Sequence, residues 1–245
     1  MGAAKSALVI GCGIAGPTVA MALKKAGIKP TIYEAYSQDT NTARVGGGFN
    51  IATNGLDALA AIDALSLTRR GAPADRYSLY NSAGKLLGTV ATGLPMVDGT
   101  TTMCFRRADV FQALVDEASQ RGIQIHFGKR LVDIKQTGES VSAIFQDGSR
   151  ETADVLVGAD GIRSAVRKLI DPSPPEPRYT GLLSFGGFAP NPGLPVNPRT
   201  WRMTFGKRAF WGDFIMDENE VCWFINLPAE SRLREINCLP RVWTT

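Results

Sequence analysis

The chain of 245 residues is 44% hydrophobic and 20% charged with a formal net charge of +4, the composition of an ordinary soluble globule long enough for one large domain or two modest ones. Its lysines and arginines are scattered rather than massed, which argues against nucleic-acid binding, and no apolar run is long enough to span a bilayer. Cys12, Cys104, Cys222 and Cys238 lack C-x-x-C spacing and His126 is the single histidine, so a metal site lacks its ligand pairs and reduced, mostly buried thiols in a cytoplasmic protein are expected.

The most telling element comes first in the chain. Leu8, Val9 and Ile10 form a short apolar strand that runs into Gly11, Gly13 and Gly16 at G-x-G-x-x-G spacing, with a helix predicted from Pro17 to Ala26. Gly11 suits a tight turn, Gly13 lets the backbone approach a pyrophosphate, and Gly16 allows close packing of helix on strand. Gly11, Gly13, Ile14, Ala15 and Gly16 are therefore candidate cofactor contacts, the helix N-terminus offering unpaired N–H groups and a positive dipole end to phosphate oxygens. Gly27 closes the helix, Pro30 to Tyr33 make a second strand, and Glu34 at its carboxyl end lies close to the offset where an acid accepts ribose hydroxyls. An acid rather than an arginine there argues against a 2′-phosphate and leaves NAD or FAD. A plain βαβ unit without a ligand is the alternative.

Arg44 precedes the run Gly46, Gly47, Gly48. Beside a nucleotide site such a run suits backbone pressed against a cofactor ring; by itself it suits a flexible loop. A helix opened by Asn54 follows, with Leu56, Leu59, Ala60 and Ile62 on one face. Tyr77 to Thr102 reads as a β-hairpin excursion turning at Asn81 to Gly84. The next helix, from about Ala108 to Gln120, buries Val110, Phe111, Leu114 and Val115 and stops at Gly122. Strands are expected at 123–127, 131–137 and 141–148, with His126 in a structural role. Asp154 to Ile170 reads as a buried parallel-type strand, a Gly-Ala-Asp-Gly turn and a helix, and Pro172, Pro174, Pro175 and Pro177 mark a boundary. Beyond it, short strands carrying Trp201, Trp211 and Trp223 predict an antiparallel sheet whose rings form a core or wall an apolar pocket between domains.

Taken together, the glycine fingerprint with Glu34, the stretch RRADVFQAL and the stretch DVLVGADGIRSAVRK resemble the flavoprotein monooxygenases of the para-hydroxybenzoate hydroxylase type, from Ala7 to about Arg178 and more loosely to Pro228. The resemblance implies an α/β fold: a Rossmann-like FAD-binding domain over 1–75 and 104–178, with an inserted antiparallel β-sheet substrate domain over 76–103 and 179–245. It implies that Asp160 and Gly161 lie between FAD and the nicotinamide cofactor. Arg107 matches the arginine that contacts FAD, with Arg106 as the neighbouring candidate, and the backbone at Gly47, with Arg44 at its entrance, lies beside the cofactor. The implied reaction is reduction of bound FAD by NADH or NADPH, uptake of O2, and transfer of one oxygen atom from a flavin C4a-hydroperoxide to a small aromatic or polycyclic substrate, a hydroxylation or an epoxidation. The cofactor carries that chemistry, and no proton-transferring catalytic residue stands out.

The third motif of that family, a Gly-Asp followed by a histidine and a Pro-x-x-Gly turn, has no counterpart before Thr245; Gly212-Asp213 sits inside a strand and does not match it. The expectation is a truncated chain with an exposed strand edge and apolar face that binds FAD poorly. A catalytically inactive flavoprotein remnant, acting as a weak nucleotide-binding or interaction protein, is therefore the alternative function.

Overall fold

The structure is a computed structural model and describes residues 4–38, 47–194 and 199–230. Strand β1 (Ser6–Ile10), helix α1 (Ala15–Lys25) and strand β2 (Lys29–Tyr33) form the opening unit. Helix α1 starts two residues earlier than expected, placing Gly16 and Pro17 in its first turn, where proline's missing donor has no partner to lose. At its other end the N–H groups of Gly27 and Ile28 donate to the carbonyls of Lys24 and Leu23, and Gly27 takes φ +82°, a Schellman closure that only a residue tolerant of the left-handed region permits cheaply.

Next come β3 (Gly48–Ile51), α2 (Thr53–Ala61), a 3-10 turn over 65–70, β4 (Ala72–Pro73), and the hairpin β5 (Arg76–Asn81) and β6 (Leu86–Ala91). Asn81 holds the hairpin turn, its side-chain oxygen accepting from the N–H groups of Ala83 and Lys85. Strand β7 (Met103–Arg106) then leads directly into α3 (Arg107–Gln120), which ends at Gly122 in a second Schellman closure. After β8 (Gln124–His126), the meander β9 (Leu131–Gln136), β10 (Val141–Phe145) and β11 (Arg150–Ala153) precedes β12 (Val155–Gly158) and α4 (Ala165–Ile170). The aromatic strands are β13 (Leu182–Pro190), β14 (Thr200–Phe205), β15 (Phe210–Ile215) and β16 (Glu220–Pro228).

The strands form four sheets. A parallel sheet runs in the order β12-β1-β2-β8, so the chain leaves β1 in opposite directions on its two sides. Its apolar strands are covered on both faces, as parallel sheets require. On one face α1 and α3 bury Val9, Met21, Ile32, Phe111 and Leu114. On the other the meander packs Leu131, Ala143 and Phe145 against Leu8, Ile10 and Tyr33. Tyr33 lies between His126 and Phe145, with ring centroids at 5.2 and 4.8 Å, which gives the single histidine its structural place. Full burial of a ring such as Phe145 is worth about 3 kcal/mol.

Strand β12 is an edge, and near it Ile162 and Ile170 are exposed. Asp154 ties that edge to β1 by accepting from the N–H groups of Lys5 and Ser6 at 2.8 Å each.

A six-stranded sheet runs β13-β16-β15-β14-β5-β6. It is not purely antiparallel as expected, because β14 pairs with β5 in parallel, Arg76 opposite Thr200. A small sheet, β3-β7-β4, lies between the two larger ones. Its Phe105 faces the helix-side core, while its Cys104 joins Trp201, Phe214 and Cys222 in the aromatic core.

Candidate functional site: the carboxyl edge of the parallel sheet

Opposite departures from the two sides of a strand open a crevice at its carboxyl end, where ligands of open α/β sheets bind. Here that strand is β1, and the glycines stand at its end. Gly11 takes φ +103°, and a side chain on it would meet the carbonyl oxygen of Ala159 at 2.5 Å and Asp160 Cα at 3.0 Å. A side chain on Gly16 would overlap the carbonyl oxygen of Gly11. These two glycines close the turn on itself and press it against the 159–160 backbone. Gly13 differs, because a Cβ there would meet nothing within 4 Å. It faces open space at the start of α1, which has neither a side-chain cap nor an acidic residue in its first turn.

Glu34 sits where its offset predicts, just beyond β2, and it is 93% buried, 7% of its surface remaining exposed. One carboxylate oxygen accepts from the Cys12 N–H at 2.7 Å and the other from the Tyr36 N–H at 2.9 Å. The side chain therefore has a task that sequence reasoning missed: it pins the glycine turn to the end of β2. Each oxygen keeps a further lone pair. Burial, and secondarily the Glu34 carboxylate, push the Cys12 thiol up from 9.0 to about 12, so it stays neutral.

Asp160 is engaged too. Its carboxylate accepts from Ser164 Oγ at 2.5 Å and from the N–H groups of Ala165 and Val166 at 2.7 and 3.1 Å, so it caps α4 together with Ser164. Gly161, at φ +79° with open space around it, is the part of the pair that faces outward. Arg167 is half-buried and donates to the Ile162 carbonyl at 3.0 Å.

Between the adjacent arginines the structure makes a clear separation. Arg106 pairs with Glu220 and lies over the Phe188 ring at 4.2 Å, joining β7 to the aromatic sheet. Arg107, the first residue of α3, is exposed, and among the described residues its side chain has no ionic partner. Its backbone N–H donates to the Gly47 carbonyl at 3.0 Å, bringing those two candidates together. Arg44 lies outside the described residues. The two clusters, glycine turn and Gly47–Arg107, share one core: Ile14, Phe49 and Ala159 pack on the buried group that holds Cys12 and Phe105.

Gly212 and Asp213 belong to β15 and are structural. Asp213 pairs with Arg202 at 2.6 Å and accepts from the Trp211 indole at 2.9 Å, while a side chain on Gly212 would collide with the Phe224 ring. A groove lined by Lys5, Ile134, Val155, Leu156 and Ile170 lies at the amino ends of β1 and β12, away from the glycine turn. No cluster of metal-ligating side chains and no helix long and apolar enough to cross a membrane occurs among the described residues.

The donor set fits a dinucleotide: uncapped N–H groups and open space at Gly13 for a pyrophosphate, a buried carboxylate one strand away for ribose hydroxyls, and a free guanidinium.

Comparison with known proteins agrees. The chain is 29% identical over 184 residues to a FAD-dependent urate hydroxylase of Klebsiella pneumoniae, 74% of this chain and 47% of that protein. It is 30% identical to the chloroplastic zeaxanthin epoxidase of Solanum lycopersicum, over 91% of this chain and 34% of that one. It thus spans about half or less of the length of these relatives. The crystal structure of Klebsiella pneumoniae HpxO complexed with FAD and uric acid superposes with a TM-score of 0.82 at 24% identity, covering 94% of this chain and 58% of that one, and confirms the mixed α/β fold. With residues 5–195 matching the description FAD binding domain, the chain belongs to that family.

Proposed function

We propose that this chain binds FAD along the carboxyl edge of its parallel sheet, and that it carries the cofactor-binding part of a cytoplasmic, NADH- or NADPH-using monooxygenase that adds an oxygen atom from O2 to a small aromatic or polycyclic substrate. The observation that carries the reading is the uncapped start of α1 facing open space at Gly13, one strand from the buried carboxylate of Glu34. Urate, the substrate named for one relative, is a small bicyclic heterocycle and suits that class.

In this reading Gly13, Ile14, Ala15 and Gly16 present N–H groups to the pyrophosphate, Glu34 accepts from the adenosine ribose, and Arg107 pairs with phosphate oxygens as a planar fork. Gly47 and Gly161 leave room for the cofactor at either side, and Asp160 acts as a positioning residue by fixing α4. When bound, FAD supplies the redox chemistry, accepting reducing equivalents and activating O2. The residues of this chain bind, orient and exclude water, and none of them is assigned a proton transfer. The free thiols of Cys12, Cys104 and Cys222 suit a reducing compartment.

The test is a titration of the purified chain with FAD, followed by flavin fluorescence, and then oxidation of NADH or NADPH in air with added aromatic compounds. Saturable binding is expected, and Glu34→Ala should weaken it by about 1.5–3 kcal/mol, the scale of hydrogen bonds to a charged group. A chain that takes up no flavin would overturn the reading, and unchanged affinity in the variant would remove Glu34 from the site.

A further inference from the structure

Strand β6 ends the row β13-β16-β15-β14-β5-β6, paired with β5 on one side and with no strand on the other among the described residues. The Thr92 N–H donates to the Asp75 carbonyl at 2.9 Å, which fixes the alternation along the strand. In an antiparallel pair every second residue turns both of its main-chain groups to the partner. Val90 and Gly88 therefore bond to β5, while Thr89 and Ala91 hold their N–H and C=O groups outward. The register slips at Leu87, leaving Gly88 to Ala91 as the regular stretch.

Natural sheet edges are guarded by lysines, prolines or inward-pointing charges. This strand, Leu86 to Ala91, has none of them. Leu86, Leu87, Val90, Leu94 and Val97 are instead all exposed, Val90 by 49% and Leu94 by 85%. Their arrangement is symmetrical about Val90, with Leu86 and Leu94 standing at equal steps to either side. From Ser82 to Gly99 the charged residues are Lys85 and Asp98, exposed, unlike in sign and at opposite ends. An antiparallel copy of the segment turned about Val90 thus brings Leu86 toward Leu94, and Lys85 toward the loop that carries Asp98. A parallel copy would set like charges together. A patch that complements itself in this way is what a two-fold interface requires.

We propose that β6 is a dimerisation edge, pairing antiparallel with β6 of a second copy of this chain about a two-fold axis at Val90, so that two six-stranded sheets become one. Thr89 of each strand exchanges hydrogen bonds with Ala91 of the other. The two Val90 residues face each other in the non-hydrogen-bonded position, their Cα atoms about 4.5 Å apart. The contact is one strand wide, the class of a transient rather than an obligate interface, so the dimer forms and dissociates with concentration. The crevice at the glycine turn belongs to the parallel sheet, and the proposal stands apart from the cofactor reading.

The experiment is size-exclusion chromatography with light scattering on the full chain over a dilution series. Expected is a mass that falls from twice that of one chain toward that of one chain. A chain that stays monomeric throughout, or that forms open-ended aggregates, overturns the proposal. Thr89→Pro removes an outward N–H that β5 does not use, and should give a folded monomer with the same far-ultraviolet spectrum. Val90→Lys sets like charges face to face and should weaken association about tenfold or more. A folded Thr89→Pro chain that still dimerises overturns the proposal. An independent reading is Val90→Cys in a Cys238→Ser chain, where Cys12, Cys104 and Cys222 are buried. Mild oxidation should link it into a dimer that dithiothreitol separates, since the two positions lie within disulfide reach. No link at concentrations where the unmodified chain is dimeric puts the interface elsewhere and overturns the proposal. The dilution series on the unmodified chain is decisive without any variant, so one that fails to fold changes nothing.

Discussion

The carboxyl edge of the parallel sheet and the six-stranded aromatic sheet are held together in opposite ways. At the first, backbone meets backbone: Gly11 and Gly16 let the turn close on itself and on Ala159, and Glu34 secures it through the Cys12 N–H. In the second, side chains meet: across neighbouring strands, Arg202 with Asp213, Trp211 stacked on Trp223 at 5.5 Å and Trp201 on Phe214 at 5.2 Å, and from a distant segment, Asn50, which accepts from the Trp201 indole at 3.0 Å. A site that must expose N–H groups to a ligand gains by having few side chains in the way. A wall gains by having many.

If that contrast is right, the edge should tolerate no added atoms and the wall no lost ones. Gly16→Val should do the greatest damage, costing about 4 kcal/mol or more, because the obstacle is the Gly11 carbonyl rather than a side chain that can swing aside; thermal unfolding measures it, and a loss below about 1 kcal/mol would show that the turn is slack.

Next is Asp213→Ala, which leaves Arg202 and the Trp211 indole without their acceptor. A loss of about 3 kcal/mol is expected in denaturant unfolding. Asp63→Asn, at the exposed pair with Lys25, is the control and should leave the midpoint where it was.

Glu34→Gln should cost stability more mildly, about 1–2 kcal/mol, since the amide keeps one acceptor for Cys12 or Tyr36 but not both. Equal loss in Glu34→Ala and Glu34→Gln would mean that charge, not the hydrogen-bond count, holds the turn.

The smallest effect is a response to alkali. Burial pushes Cys12 from 9.0 and Tyr33 from 10.0 to about 12 each, with the carboxylates of Glu34 and Glu151 adding to it. Both groups lose their protons more readily when the chain is unfolded, so the stability they contribute is complete below pH 9 and drains away as pH rises toward 12. Cys12→Ala should flatten the first part of that decline, and an unchanged slope would place its cause elsewhere.

Legibility in the sequence divided along the same line. The turn Gly11 to Gly16, the carboxyl-end position of Glu34, helix α3 and the 81–84 hairpin turn are local, and each was readable because spacing and backbone chemistry act over a few residues. Strand β11 and the parallel joining of β5 to β14 were not, since a short polar strand has no period to show and a partner beyond a hundred residues leaves no trace nearby. The same held within the site. Which of Arg106 and Arg107 is free depends on Glu220 and Phe188, and Asp160's engagement with α4 depends on how its carboxylate turns. Cys12 was visible only as the variable letter between two glycines, yet it lends the N–H that Glu34 holds.

The alignment of Arg76 with Thr200 also sets an order of events during synthesis. A nascent chain that has not yet reached β14 carries the 76–91 hairpin with the β5 side unsheltered, and such a rim readily recruits strands of other molecules. Assembly of the sheet has to wait for the late segment to emerge, so refolding from denaturant should be slow in the manner of proteins dominated by distant contacts, and its yield should fall as concentration rises.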